Sequence, residues 1–328
     1  MMIFATSSAR LQTSVSTIAF RGWENNLRLT NDSVELVATL DVGPRILAYR
    51  KHGGFNPLNI FEDQAGTSGE TVWRNRGGHR LWTAPEHKVK TYFPDNAPVQ
   101  WEQLGECHVK LRPPPETSNG LQKEIEIQLD PVGTGVTLVH RVTRIGKTPM
   151  TLAPWALSVM AAGGVAVVPQ PEMGEHPRDL LPNRNLVLWP YTEMSDPRCY
   201  FGKKYILLRQ DATRCPTKIG LSHQIGWSGY LVGGVFFLKR YSWDPEANYP
   251  DNGCNLEIFT NARMLELESL GPLTELGSGE SLEHVARWEL HDVLGTFDAK
   301  SEQQIHELLQ PILSAPGSCF AKVNGQLS

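Results

Sequence analysis

Two glutamates, Glu266 and Glu268, alternate with Leu265 and Leu267 late in the chain, so on a strand both carboxylates leave the same face. Such a face is either a solvated surface or the wall of a site where a carboxylate takes or holds a proton. Glu268 is favoured of the two because it directly precedes a Ser-Leu-Gly-Pro turn. Far upstream lies Gly77-Gly78-His79-Arg80-Leu81-Trp82. His79 is a residue type that titrates near neutrality, and its flanking glycines allow a backbone to approach a ligand closely. A turn histidine donating to a carbonyl is the plain alternative. Arg80 offers a planar fork of donors suited to vicinal hydroxyls or a carboxylate. Glu86, after Pro85, is positioned either to accept from a hydroxyl or to pair with Arg80. Trp73, Trp82, Trp155 and Trp243 offer flat faces for stacking, although tryptophan in a β protein is more often core; Trp82 and Trp155 are selected as binding residues. Asp251, in Tyr249-Pro250-Asp251-Asn252-Gly253, reads ligand hydroxyls or simply makes a turn. Asp196-Pro197-Arg198 is a further rim candidate, whereas Lys239, Arg240 and His140, set between apolar strand residues, are expected on solvated faces.

The elements that must hold these residues are strands. Glycine (29) and proline (23) punctuate short β-branched and aromatic runs, among them 34–39, 46–49, 125–129, 136–142, 150–152, 205–208, 234–237, 256–259 and 264–267. Helical periodicity is confined to 301–314, where Ser301 and Gln304 form a possible capping box and Ile305, Leu308, Leu309 and Ile312 share one face; Pro311 is expected to bend the end. Pro113-Pro114-Pro115 reads as an exposed hairpin loop. With no repeat and no low-complexity linker, the expected organisation is a flexible N-terminus over 1–22, one β-sandwich domain over 23–300, and a helix and tail over 301–328 packed on that domain.

Composition narrows the function. The 328 residues are 40% hydrophobic and 20% charged, and 31 basic against 35 acidic residues give a net charge of -4 with no basic run, which argues against nucleic acid as a partner. Cys107, Cys199, Cys215, Cys254 and Cys319 lack any Cys-x-x-Cys spacing, so they read as thiols of a reducing compartment rather than a metal or redox pair. Arg10 interrupts the Ser/Thr-rich start before any apolar stretch could make a signal peptide or a membrane span, so the expectation is cytoplasmic, with no membrane partner. The Asn31-Asp32-Ser33 sequon carries no weight without secretion. The sequence has no Gly-x-Ser-x-Gly, P-loop, dinucleotide fingerprint or His-Glu-x-x-His, and neither cofactor nor metal is called for.

Leu40-Asp41-Val42-Gly43-Pro44-Arg45-Ile46, Pro57-Leu58-Asn59-Ile60-Phe61, the Gly77 to Glu86 segment, and Met264 to Pro272 followed by Gly279-Glu280 and His284 to Trp288 together resemble the galactose mutarotase-like (aldose 1-epimerase-like) superfamily, as a divergent branch, over residues 25–292. The resemblance implies an all-β fold, a large antiparallel β-supersandwich with a short C-terminal helix. It also implies a small-molecule carbohydrate bound on a concave sheet face and interconversion of aldose anomers by acid/base ring opening. In such proteins the base is a glutamate of a late strand, which corresponds to Glu268, and the acid a histidine of a middle strand. The segment that resembles the latter, Thr148 to Leu157, has Trp155 at the histidine place. His79 is then the acid expected here, with Arg80, Trp82, Glu86, Trp155, Asp251 and Glu266 binding the substrate. The replaced histidine motivates the alternatives of a non-catalytic sugar-binding or sensing protein, or of a lyase or hydrolase on the same fold. A monomer or homodimer is expected.

Overall fold

The computed structural model describes residues 13–295 and 297–314. Two antiparallel sheets stack face to face. The first runs β1 (Ser14–Phe20), β2 (Trp23–Thr30), β3 (Val34–Thr39), β4 (Arg45–Lys51), β5 (His79–Ala84), β10 (Met150–Met160), β19 (Leu265–Leu270), β18 (Leu256–Thr260), β15 (Thr217–Leu221) and β12 (Val187–Leu188), with β20 (Thr274–Leu276) paired beside the start of β10. The second runs β13 (Cys199–Phe201), β14 (Tyr205–Arg209), β11 (Val165–Pro169), β16 (Trp227–Val232), β17 (Val235–Tyr241), β21 (Ser281–Asp292), β9 (Val136–Arg144), β8 (Leu121–Leu129), β7 (His108–Arg112) and β6 (Gln100–Gly105). This is the all-β supersandwich expected from the sequence.

Period-2 alternation builds the core. Leu27, Leu36, Ile46, Leu81, Leu265 and Leu267 of the first sheet meet Ile125, Val136, Leu138, Phe237 and Trp288 of the second. Strand β9 shows the alternation residue by residue, buried on one face and half-exposed on the other. Strands β5 and β19, at the centre of the first sheet, are buried on both faces. Something must therefore cover their outer side, and the loops after β4 and β5 do so. Gly77 and Gly78 allow this arrangement. Both have positive φ (84° and 72°), and a Cβ on either would strike the backbone of Asn59 or Ile46, so the glycines admit neighbouring strands and not a ligand.

The C-terminal helix, Glu302–Leu313, buries Ile305 and Leu309 against Val165, Val167, Leu207 and Leu238 on the outer face of the second sheet. Ser301 caps it by accepting from the Gln304 amide (3.3 Å), but the Gln304 side chain accepts from Asp298 N and so does not complete the box. Ser301→Ala is expected to cost about 1 kcal/mol, read as a lowered urea midpoint with unchanged slope. A loss near zero would mean that the packed face alone holds the helix.

Two sequence expectations change. Residues 14–20, placed in a flexible N-terminus, form β1 and pair with β2; residues 1–12 and 315–328, with Cys319, lie outside the described residues. His140 and Lys239, expected on solvated faces, are wholly buried between the sheets, and Arg240 is buried as well. Among the described residues no helix is long and apolar enough to cross a membrane.

Candidate functional site

The outer face of β5, β10, β19, β18 and β15 carries the site. Register places Arg80 opposite Leu157, Leu157 opposite Glu268, and Glu268 opposite Glu257, one row across four strands. The next row brings Glu266 opposite Phe259, and Phe259 opposite Lys218. Loops add Trp73, Asn75, Glu86, Tyr92 and Tyr191, enclosing a cleft of about 290 Å³. That is at the small end of ligand pockets, about 300–1,000 Å³ in general.

One wall is aromatic. Trp82 packs against Trp73 (5.0 Å between ring centroids), Tyr92 (4.9 Å) and Trp155 (5.5 Å), while the Arg80 guanidinium lies over Trp82 at 4.4 Å and over Trp73 at 5.3 Å. Arg80 also donates to Glu266 Oε1 at 2.8 Å. Stacking and ion pairing together hold the guanidinium in a single orientation.

The other wall is a buried charge cluster. Glu268 Oε2 accepts from Trp155 Nε1 (2.8 Å) and Lys218 Nζ (3.0 Å), and Lys218 also ion-pairs with Glu257 Oε2 at 2.6 Å. Two carboxylates directly opposite on neighbouring strands repel, and the ammonium between them compensates. Burial raises the Glu268 and Glu257 carboxyls above the usual range, with Lys218 opposing in both cases. Burial favours loss of the Lys218 proton, but the two carboxylates outweigh it and the ammonium is held charged. Three polar atoms of the cleft walls are buried with no hydrogen-bond partner: Glu268 Oε1, Arg80 Nε and Trp73 Nε1. Burial pushes the Tyr191 phenol up to about 12, too high for a proton donor near neutrality.

Of the residues singled out in the sequence, Trp73, Arg80, Trp82, Glu86, Trp155, Glu266 and Glu268 line this cleft. Trp155 combines both expected roles, since it is buried yet faces the site. His79 does not join them. It is adjacent to Arg80 on a strand, so it must face the opposite way, into the core against Trp288. Its Nδ1 meets Ser158 Oγ at 2.9 Å and its Nε2 meets His140 Nε2 at 2.7 Å. His140 Nδ1 faces the His284 carbonyl and must donate, so His140 Nε2 accepts from His79, and His79 Nδ1 accepts from Ser158. Burial holds His79 well below its usual range, and no histidine is among the described residues lining the cleft. Asp251 is also outside it, in a short helical turn where it has φ 51°. Asp196 and Arg198 pair with each other at 2.7 Å, away from the cleft.

Sequence reading missed Lys218, Glu257, Asn75, Tyr92 and Tyr191. The available signal was in the strands: Lys218 and Glu257 are single charges inside apolar runs, Thr217–Leu221 and Leu256–Thr260. Among the described residues no group of three or more His, Cys, Asp or Glu side chains is arranged to hold a metal ion.

The fold has known counterparts. It is similar to a galactose mutarotase-like protein from Lactobacillus casei (TM-score 0.53, 12% identity, covering 81% of this chain and 100% of that one). A galactose mutarotase-like protein from Clostridium acetobutylicum is also similar (0.51, 10%, 86% and 99%). So is a TPR-domain containing protein from Parabacteroides distasonis (0.57, 12%, 90% of this chain and 55% of that one). The chain therefore has the galactose mutarotase-like fold. No protein-family model matches its sequence, and no curated protein matches it.

Proposed function

We propose that this protein binds a carbohydrate, one sugar ring seated in the cleft against Trp73, Trp82 and Tyr92. The observation that carries this reading is the set of unpartnered wall atoms, one acceptor (Glu268 Oε1) and two donors (Arg80 Nε, Trp73 Nε1), beside an aromatic face. A buried polar atom without a partner is costly, and a ring bearing hydroxyls supplies donors and acceptors together with an apolar face to stack. Asn75 and Asn261 on the rim add amide groups for further hydroxyls.

Interconversion of aldose anomers is the second reading, and Glu268 favours it. Its carboxyl lies in the cleft, has one oxygen free, and is raised toward the range in which a carboxylate takes a proton readily. In this scheme Glu268 Oε1 removes the anomeric hydroxyl proton as the C1–ring oxygen bond breaks. Lys218, 3.0 Å from Oε2, stabilises the charge remaining on the carboxylate before transfer. With no histidine among the described residues lining the cleft, water gives its proton to the ring oxygen; after C1 turns, the resulting hydroxide takes that proton back as the ring oxygen re-attacks C1, and the protonated Glu268 returns its proton to the new anomeric oxygen.

Proton NMR of the full chain with freshly dissolved α-glucose, α-galactose and uronic and phosphorylated sugars distinguishes the readings. Catalysis is expected as anomer equilibration above the buffer rate that falls by about 10²-fold in Glu268→Gln. Ligand line broadening without acceleration leaves binding alone. Silence across this panel and across glucosamine and galactosamine, added to it, would remove both.

A further inference from the structure

We propose, on the basis of the sugar-binding reading above, that the cleft selects a sugar carrying a free amino group and rejects sugars carrying carboxylate or phosphate. The balance of charge along the walls sets this selection. Glu86, Glu266 and Glu268 face the cleft, against Arg80 and Lys218. Both cations are already committed, Arg80 to Glu266 at 2.8 Å and Lys218 to Glu268 at 3.0 Å and Glu257 at 2.6 Å. Three carboxylates against two cations leave the walls one negative charge in excess, carried by Glu268, whose Oε1 is buried without a partner, and by Glu86, exposed at the mouth with the Tyr92 hydroxyl donating to it, while Arg80 Nε and Trp73 Nε1 are the donors left over.

An anionic sugar that paired with Arg80 Nη2 or with Lys218 would compete with a carboxylate already there, and a buried carboxylate that lost its partner would be uncompensated; on these cations only the single donor Arg80 Nε is open to it without that exchange. An ammonium breaks no ion pair, although a small side-chain shift must open the buried Glu268 Oε1 to it. It donates to Glu268 Oε1 and gains attraction from Glu86 and from the faces of Tyr92 and Tyr191, while Arg80 Nε and Trp73 Nε1 remain for hydroxyl oxygens. Of the other cations, Arg45 donates to the Asn75 and Arg74 carbonyls and is ion-paired with Asp95 at 2.9 Å, and Lys239 lies behind the sheet, where its Nζ donates to the carbonyls of Ala156 (2.8 Å) and Leu267 (3.3 Å). Burial pushes its pKa down to about 7, which lowers its charge relative to an exposed lysine.

Isothermal titration calorimetry of the full chain at pH 7 and low salt, with glucosamine and galactosamine, their N-acetyl forms, glucose, galactose and the two uronic acids, tests this. The free amine is expected to bind about 10-fold tighter than its N-acetylated or neutral counterpart, and the uronic acid about 10-fold weaker than the neutral sugar, as one modest charge contact implies. Raising the salt to about 0.5 M should shrink both differences, because the Debye length shortens to a few ångströms. Glu86→Gln, at an exposed position, should reduce the amine preference about 3-fold, the effect of one screened surface charge. Neutral sugars binding as tightly as amines, or uronic acids binding more tightly, would overturn the inference and leave the sugar-binding reading intact. No binding by any member would overturn both.

Discussion

Acidification is expected to destabilise this protein through its buried histidines, by about 2 kcal/mol for each between pH 6.5 and pH 5. Burial pushes His140 down to about 3 and His223 down to about 4. In the unfolded chain both take a proton below about 6.5, whereas in the native state neither does until far lower, so each pH unit favours the unfolded state by about 1.4 kcal/mol per histidine. His79 and His284, also held well below their usual range by burial, act in the same direction. Glu257 and Glu268 act oppositely. Their carboxyls are raised, so they contribute stability at low pH that is lost as pH rises through their folded values. The histidine part is isolated with His223→Gln, since His223 bonds only to the Pro169 carbonyl, the Tyr241 hydroxyl and the Asn255 side chain, with no charged partner. Urea titrations at pH 6.5 and pH 5 should show the variant losing about 2 kcal/mol less on acidification than the parent. Equal losses would mean that His223 is protonated in the native state.

Replacing Lys218 by methionine is expected to cost about 3–5 kcal/mol at pH 8, the usual consequence of removing one member of a buried charge cluster. Glu257 and Glu268 would face each other across adjacent strands with nothing between them. Their carboxyls would rise further and take up protons on acidification, so the loss should be clearly smaller at pH 5 than at pH 8. Adding Glu257→Gln and Glu268→Gln to Lys218→Met should recover most of the stability. A loss below about 1 kcal/mol, within the range of an exposed ion pair, or one independent of pH, would show that the cluster is solvated.

The two expectations rest on residues of differing legibility. Glu268 was readable from its alternation with leucines, and Arg80, Trp82 and Trp155 from residue type and motif. Lys218 and Glu257 stand alone in apolar strands, and a lone strand charge reads as solvent-facing until its cross-strand neighbours are known. His79 was misplaced for a simpler reason. Residues 79–84 form a strand, so alternation forbids His79 and Arg80 from sharing a side. Read as a loop, the same segment carries no such constraint.

By itself the sequence determined the β architecture, the capped C-terminal helix, and which residues must share a face, because these follow from local periodicity and capping chemistry. Tertiary structure decided which face of β5, β10 and β19 is the core and which the cleft, since both faces are buried and burial alone cannot tell them apart. It also brought Arg80 to Glu266 across 186 positions and Lys218 to Glu268 across 50. Those pairs are set by strand order in the sheet, and no local pattern encodes strand order.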